Sequence, residues 1–276
     1  MWQPDVGSSI QMILSGTVNP SAALAPSNVD IFDIDLFNTP ASTISMLKSQ
    51  GIKVMCYFSA GTSEDWRPDW SSFQESDKGA CLPEWPGERW LNVRSQSVFD
   101  IMAKRIKLAS DKGCDAIDPD NMDGYGNQNG GGFSLTTNDA ISYTRRLAAE
   151  AAKYNLAMGL KNAIEIIPSV TNTVQFAVNE QCVENSGDCE AYAGFGKPVY
   201  HVEYVSSRSV SSGTLRKNCA NKAFSTITKL MSLDGWVTYC DGSSASTSIL
   251  QTAEGGGVEC GGLGKVNPKL AQVGTA

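Results

Sequence analysis

The sequence predicts an α/β fold: a (β/α)8 barrel of the TIM type, with a long tryptophan-rich insert after the third strand and an irregular C-terminal tail. Three observations lead there. Short β-rich runs alternate with helical patterns, which implies a parallel sheet covered by helices. Eight such runs fit within residues 10–241, a number that suits a closed barrel better than an open sheet. Acidic residues fall at the C-terminal ends of several runs, the end where barrel enzymes keep their chemistry.

The expected strands are Ile10–Leu14, Val29–Leu36, Lys53–Ala60, Cys114–Asn121, Leu156–Ala163, Phe176–Cys182, Pro198–Tyr204 and Gly235–Asp241. Helices are expected over Thr43–Gln50, stopped by Gly51, and over Ser97–Lys112, stopped by Gly113. A third covers Thr137–Tyr154, with Thr137 or Asn138 as its cap, and a fourth covers Leu215–Met231, where Leu215, Cys219, Ala223, Ile227 and Leu230 recur at near-helical spacing. The links after Leu14, Ala163 and Cys182 carry weak helical signals or none. Gly61–Arg94 is a long excursion holding Trp66, Trp70, Trp85 and Trp90, which either wall a cleft or pack the insert onto the barrel. The catalytic barrel is expected over residues 1–241. Residues 242–276, rich in Ser, Thr and Gly and including Gly255-Gly256-Gly257, read as an extension that Cys260 pins to the domain.

The chain has 276 residues, 22 Lys plus Arg against 29 Asp plus Glu, and a net charge of −7. That balance argues against nucleic acid as a partner, because such proteins show a basic face. Hydrophobic content of 41% argues against disorder, and no apolar run approaches the roughly 18 residues of a membrane span. Eight cysteines and few charges suit a secreted protein with up to four disulfides, of which Cys182–Cys189, inside one polar loop, is the one pair that sequence supports. Met1 directly before Trp2-Gln3-Pro4 reads as a start codon added to a mature segment. A monomer is expected.

Side chains alternate between barrel interior and helix layer. Ala116, Asp118 and Asp120 therefore share a face, as do Phe176, Val178 and Glu180, Val199, His201 and Glu203, and Ile31, Asp33 and Asp35. Each set is taken as facing inward. Charge inside a barrel is costly, so four strands agreeing points to function over structural pairing with Lys161, Lys53 or Arg89. Two facing carboxylates are what glycoside hydrolysis requires: one protonates the leaving oxygen, the other attacks the anomeric carbon or activates water. Tyr57, Tyr125, Tyr204 and the insert tryptophans supply faces for sugar stacking. Asp118-Pro119-Asp120-Asn121-Met122-Asp123-Gly124 misses the calcium-loop spacing at its fifth position, so no metal and no cofactor is expected. His201 is the only histidine and is expected to be structural or substrate-orienting rather than part of a nucleophile triad.

Seven runs carry a resemblance to a known family. They are Asp33-Ile34-Asp35-Leu36-Phe37, Val54 to Gly61, Glu64 to Asp69, Asp118 to Tyr125, Gly159 to Ala163, Phe176 to Cys182, and His201 to Tyr204. These resemble glycoside hydrolase family 114, whose fungal members are similar to secreted endo-α-1,4-polygalactosaminidases. The resemblance spans about Trp2 to Asp241. It implies a (β/α)8 barrel cleaving internal α-1,4 bonds in a polymer of galactosamine or N-acetylgalactosamine. The family's catalytic aspartate and glutamate map onto Asp120 and Glu180, with Asp118 as the rival for the first role. Asp33, Asp35, Asp118, Asp123, Glu203 and Asp241 are then expected to bind substrate hydroxyls or amines, together with Tyr57, Tyr125 and Tyr204. Lys161, Asn162 and Asn179, in the matched runs, join them. Free galactosamine is a polycation, so an acidic cleft would attract it and binding would weaken as salt rises. A retaining outcome is favoured. The competing expectations are a non-catalytic glycan-binding barrel and a glycosidase acting on another α-linked sugar.

Overall fold

The computed structural model describes residues 1–127, 129–185, 187–252 and 257–261. Eight parallel strands form one curled sheet in chain order: β1 (Ile10–Ile13), β2 (Ile31–Asp35), β3 (Lys53–Ser59), β4 (Ala116–Asp120), β5 (Ala157–Lys161), β6 (Phe176–Glu180), β7 (Val199–Tyr204) and β8 (Ser225–Lys229). Two antiparallel strands continue it, β9 (Trp236–Tyr239) and β10 (Ser244–Ser246). The sheet curls until β1 meets the segment before β9. The Leu14 and Ser15 amides both donate to the Leu233 carbonyl, and Gln11 Nε2 donates to the Gly235 carbonyl. The result is a TIM-like barrel.

Alternation divides the apolar residues into two cores. Met12, Ile31, Met55, Ala116, Ala157, Val178, Val202 and Ile227 fill the barrel. Ile13, Phe32, Val54, Ile117, Leu160, Ala177 and Val199 point outward against the helices. The helices are α1 (Ala41–Ser49), α2 (Gln96–Lys112), α3 (Thr137–Lys153), α4 (Ile167–Val170) and α5 (Ser212–Asn218). Gly113 ends α2 in the left-handed region. The cap of α3 is Thr136, one residue before either expected position, and Thr136 and Asp139 satisfy each other's backbone amides in a capping box.

Seven of the eight expected strands are found in place. The eighth is not. The helix expected over Leu215–Met231 ends at Asn218, and Ser225-Thr226-Ile227-Thr228-Lys229 is the eighth parallel strand. Leu215, Cys219, Ala223, Ile227 and Leu230 imitate a helical stripe, but Thr226, Ile227 and Thr228 are β-branched and alternate across the sheet. Gly235–Asp241 is consequently the antiparallel return, with Ile227 opposite Tyr239.

Residues 62–91 of the insert form a three-stranded antiparallel sheet, with Glu88–Leu91 between Thr62–Glu64 and Lys78–Cys81. Its tryptophans divide between the two expected roles. Trp85 lines the cavity at the barrel mouth. Trp90 is buried, and Trp70 lies beneath the Lys78 ammonium. Past Asp241 the chain stays on the barrel: β10 extends the sheet and Ile249–Leu250 pairs with Thr17–Val18. Cys260 is bonded to Cys81 of the insert. Gly255 and Gly256 lie outside the described residues. Cys182–Cys189 is present as expected, beside Cys56–Cys114 and Cys219–Cys240. Among the described residues, no helix is long and apolar enough to cross a membrane.

Candidate active site

Asp120 and Glu180 are the last residues of β4 and β6, and both point inward, as Ala116 and Val178 do on the same strands. The residue after each adopts a left-handed conformation: Asn121 at φ 59° and Gln181 at φ 60°. Asn162, after β5, does the same at φ 48°. Each strand therefore stops at its functional residue and turns away, leaving the side chain at the barrel mouth. One cavity of about 170 Å³ is lined by both acids with Tyr57, Asp123, Lys161, Asn162, Tyr204, Glu84 and Glu88.

Each acid is held by its own donors. Tyr57 Oη donates to Asp120 Oδ2 at 2.8 Å, and the Asn121 amide to Asp120 Oδ1 at 2.7 Å. Glu180 accepts from Tyr204 Oη and, at 3.2 Å, from Asn162 Nδ2. Asn162 Oδ1 in turn accepts the Glu180 amide at 2.8 Å. Lys161 Nζ lies 3.4 Å from Glu180 Oε2. Burial, and then the charge of Asp120, pushes the Tyr57 hydroxyl well above its usual value; burial and Glu180 do the same to Tyr204. Both phenols therefore remain donors.

Asp33 and Asp118 lie below, fully buried. Burial and the neighbouring Asp118 hold the Asp33 carboxyl well above the ordinary range. Burial raises Asp118 to about 6, with Lys161 opposing. Asp123, at the mouth, is raised to about 6 by burial and by Asp120. A second cavity of about 310 Å³ adjoins the first through Asp123, Asn162 and Glu180, and is also lined by Tyr125, Asn179, Glu165 and Asp188. Tyr125 Oη donates to Glu165 Oε2 at 2.7 Å.

Of the expected site residues, Tyr57, Asp120, Asp123, Lys161, Asn162, Glu180 and Tyr204 meet in the first cavity, and Tyr125 and Asn179 in the second. Asp33 and Asp118 form the floor beneath. Three others lie elsewhere. Asp35 is locked by Arg67, whose guanidinium forks onto it at 2.7 and 3.1 Å and also grips Glu64, so it serves the barrel rather than the sugar. Glu203 and His201 face the helix layer, because Tyr200, Val202 and Tyr204 take the inward positions of β7. There His201 Nε2 lies 2.7 Å from Glu203 Oε1, and its Nδ1 3.0 Å from Thr226 Oγ1. Asp241 is exposed at the opposite end of the barrel, since antiparallel β9 carries the chain back there.

Sequence reasoning passed over Glu84 and Asp188, which sit in loops, Glu165 in a single helical turn, and Glu88 at the start of a strand of the insert, none of them within a periodic run. It also passed over Asn121 and Gln181, whose place directly after each acid was a usable signal. A larger concavity, about 870 Å³, lies outside the barrel between Cys182, Tyr192 and Phe224. His201 lines it, but no pair of strand-end acids does. Cys182 and Cys189 approach His201 in metal-like proximity, yet their disulfide leaves no thiolate to bind an ion.

The glycoside-hydrolase family GH114 model matches residues 1–245. Ega3 of Aspergillus fumigatus, solved in complex with galactosamine, is 46% identical with a TM-score of 0.81, over 87% of this chain and 97% of that one. The glycoside hydrolase domain of PelA from Pseudomonas aeruginosa superposes with a TM-score of 0.62 at 14% identity, covering 82% and 96% of the two chains. Amy13B of Eubacterium rectale reaches 0.50 at 9% identity, over 78% and 63%. At those identities the last two share the fold alone. No curated protein sequence matches. With two carboxylates facing one cavity at the mouth of a barrel, and the family model covering nearly all of the described chain, this protein belongs to glycoside-hydrolase family GH114.

Proposed function

We propose that this glycoside hydrolase acts outside the cell on a galactosamine-containing polymer, cleaving internal α-1,4 bonds with retention. The observation that carries the reading is the shared cavity of Asp120 and Glu180. The two strands that bear them have one strand between them, so their backbones stand about 10 Å apart along the sheet. A retaining pair stands roughly 5–5.5 Å apart, so that one carboxylate reaches the anomeric carbon and a covalent glycosyl intermediate forms. Asp120 is the nucleophile, steadied by Tyr57 and the Asn121 amide. Glu180 gives its proton to the leaving oxygen and then removes one from the attacking water.

A galactosamine polymer fits the charge. Asp123, Glu165 and Asp188 meet around the adjoining cavity, and none of them forms an ion pair among the described residues. These take the place of Asp35, Glu203 and Asp241 as the groups that would meet substrate ammonium. The four disulfides suit an oxidising compartment.

Incubation with partly deacetylated α-1,4-galactosamine polymer, resolved by mass spectrometry, should release oligosaccharides of many lengths. Freshly formed reducing ends should show the α-anomer by NMR. Raised salt should slow the reaction on deacetylated stretches. Asp120→Asn and Glu180→Gln should each lower turnover by at least about a hundredfold while leaving the melting curve in place. Near-normal hydrolysis by both variants would refute the assignment, and wild-type protein that binds the polymer without cutting it would favour a glycan-binding role.

A further inference from the structure

Among the described residues, Lys161 is the one lysine that lines this cavity, and it is fully buried. Its Nζ stands 3.4 Å from Glu180 Oε2 and 3.7 Å from Asp118 Oδ2. Both separations allow an ion pair, and neither is a full hydrogen bond. Among the described residues no other atom accepts from this ammonium. Below it, the Asp118 and Asp33 carboxyls have no hydrogen-bond partner other than each other. Tyr57 places its ring 5.6 Å away, closing the floor on that side.

A buried ammonium shared between two carboxylates, and tightly bound to neither, can follow the charge as it changes. We propose that Lys161 is a positioning residue for Glu180: poised between Asp118 and Glu180, its ammonium closes on Glu180 when that side chain gives up its proton and falls back towards Asp118 when the proton returns. The proton passes only between Glu180 and the substrate or water; Lys161 keeps its own. The surroundings agree, since Glu180, Asp120, Asp118 and Asp33 together overcome burial and hold the ammonium well above its ordinary value. This role rests on Glu180 being the acid and base of the reading above. It goes beyond that reading by giving the matched lysine a task that is not contact with the sugar.

The groups facing Glu180 are Lys161 from β5, Tyr204 from β7, Asp118 and Asp120 from β4, and Asp123 beyond β4. Removing the cation leaves Tyr204 and Asn162 as neutral donors and every charged neighbour negative, so Lys161→Met should move the alkaline limb of kcat/KM to higher pH. Asp118→Asn removes the competing anion and gives Lys161 wholly to Glu180, so the same limb should move to lower pH. Lys161→Met should also lower kcat at least tenfold with KM changed by less than threefold. Both variants are read on the full-length protein with polygalactosamine, beside wild type. Opposite limb shifts support the inference. Limbs that stay where wild type has them, in either variant, overturn it even if melting temperatures fall, because a purely structural lysine would move stability alone. If Lys161→Met does not fold, Asp118→Asn decides. Loss of the two-carboxylate reading itself would show separately, as full activity in Glu180→Gln.

Discussion

At the scale of single residues, the site is held by close backbone approaches as much as by its polar contacts. Gly61 lies two residues past the end of β3, and its amide donates to the Asp120 carbonyl at 3.1 Å. A Cβ built there would fall 1.6 Å from the Asn121 carbonyl oxygen. That obstacle is backbone, so no side-chain rotation relieves it. Gly61→Ala should therefore push the 120–121 segment away and cost about 3 kcal/mol or more, at the upper end of overpacking penalties. The displaced peptide carries both Asp120 and the amide that holds it, so activity should fall with stability. A melting temperature and turnover equal to wild type would show that the segment yields freely. The residue scale also shows why burial is no guide to role here. Asp35, Asp118 and Glu203 are all buried acids on barrel strands, but their partners differ: Arg67, then Lys161, then His201.

At the scale of elements, the common device is a strand that ends on its functional residue and turns through a left-handed asparagine or glutamine. The turn after β5 does most to position Glu180, since Asn162 both accepts the Glu180 amide and donates to its carboxylate. Asn162→Ala loses both bonds and puts a less tolerant residue at φ 48°. We expect a loss of about 1–2 kcal/mol and a tenfold or larger fall in kcat. Asn162→Gly keeps the backbone relaxed but loses the same bonds. It should recover much of the stability and none of the rate, and recovery of the rate in Asn162→Gly would assign the effect to backbone strain. Elements also explain what the sequence could convey. Asp120 and Glu180 were legible because each ends a run whose inward residues are unmistakably apolar, so parity alone orients them. Parity failed on β7, where both faces carry large side chains: the inward set is Tyr200, Val202 and Tyr204, and the outward His201 and Glu203 are satisfied by Thr226 and by the Val183 amide. It failed at β8 because apolar residues four apart suit a helix as well as a loop leading into a strand. Asp35 could not be placed at all without Arg67, which lies 32 positions along the chain in the insert.

At the scale of the whole molecule, the acids collected at one end of the barrel give folding a pH dependence of definite sign. Asp118 and Asp123 are both raised to about 6 in the folded chain, and Asp33 is raised well above its usual value, burial being the largest cause for each. In the unfolded chain all three return to the ordinary aspartate value near 3.9. Between about pH 4 and pH 6 the folded protein therefore holds protons that the unfolded chain releases, and stability falls as pH rises through that window. The contribution is complete below pH 4 and lost above 6, with Asp33 extending the decline to higher pH. Glu75 and Asp241 are shifted the opposite way, but both are exposed and screened by solvent, so they oppose the trend weakly. Lys229, lowered by burial to about 7, begins to act only at the neutral edge. The melting temperature should accordingly be several degrees higher at pH 5 than at pH 7, given about 2–4 °C per kcal/mol for a chain of this size. Asp123→Asn, neutral at every pH, should flatten that slope without reversing it. A melting temperature that climbs from pH 5 to pH 7 in the wild type would mean that these carboxyls are charged and paired in the folded barrel, contrary to the uncompensated cluster at its mouth.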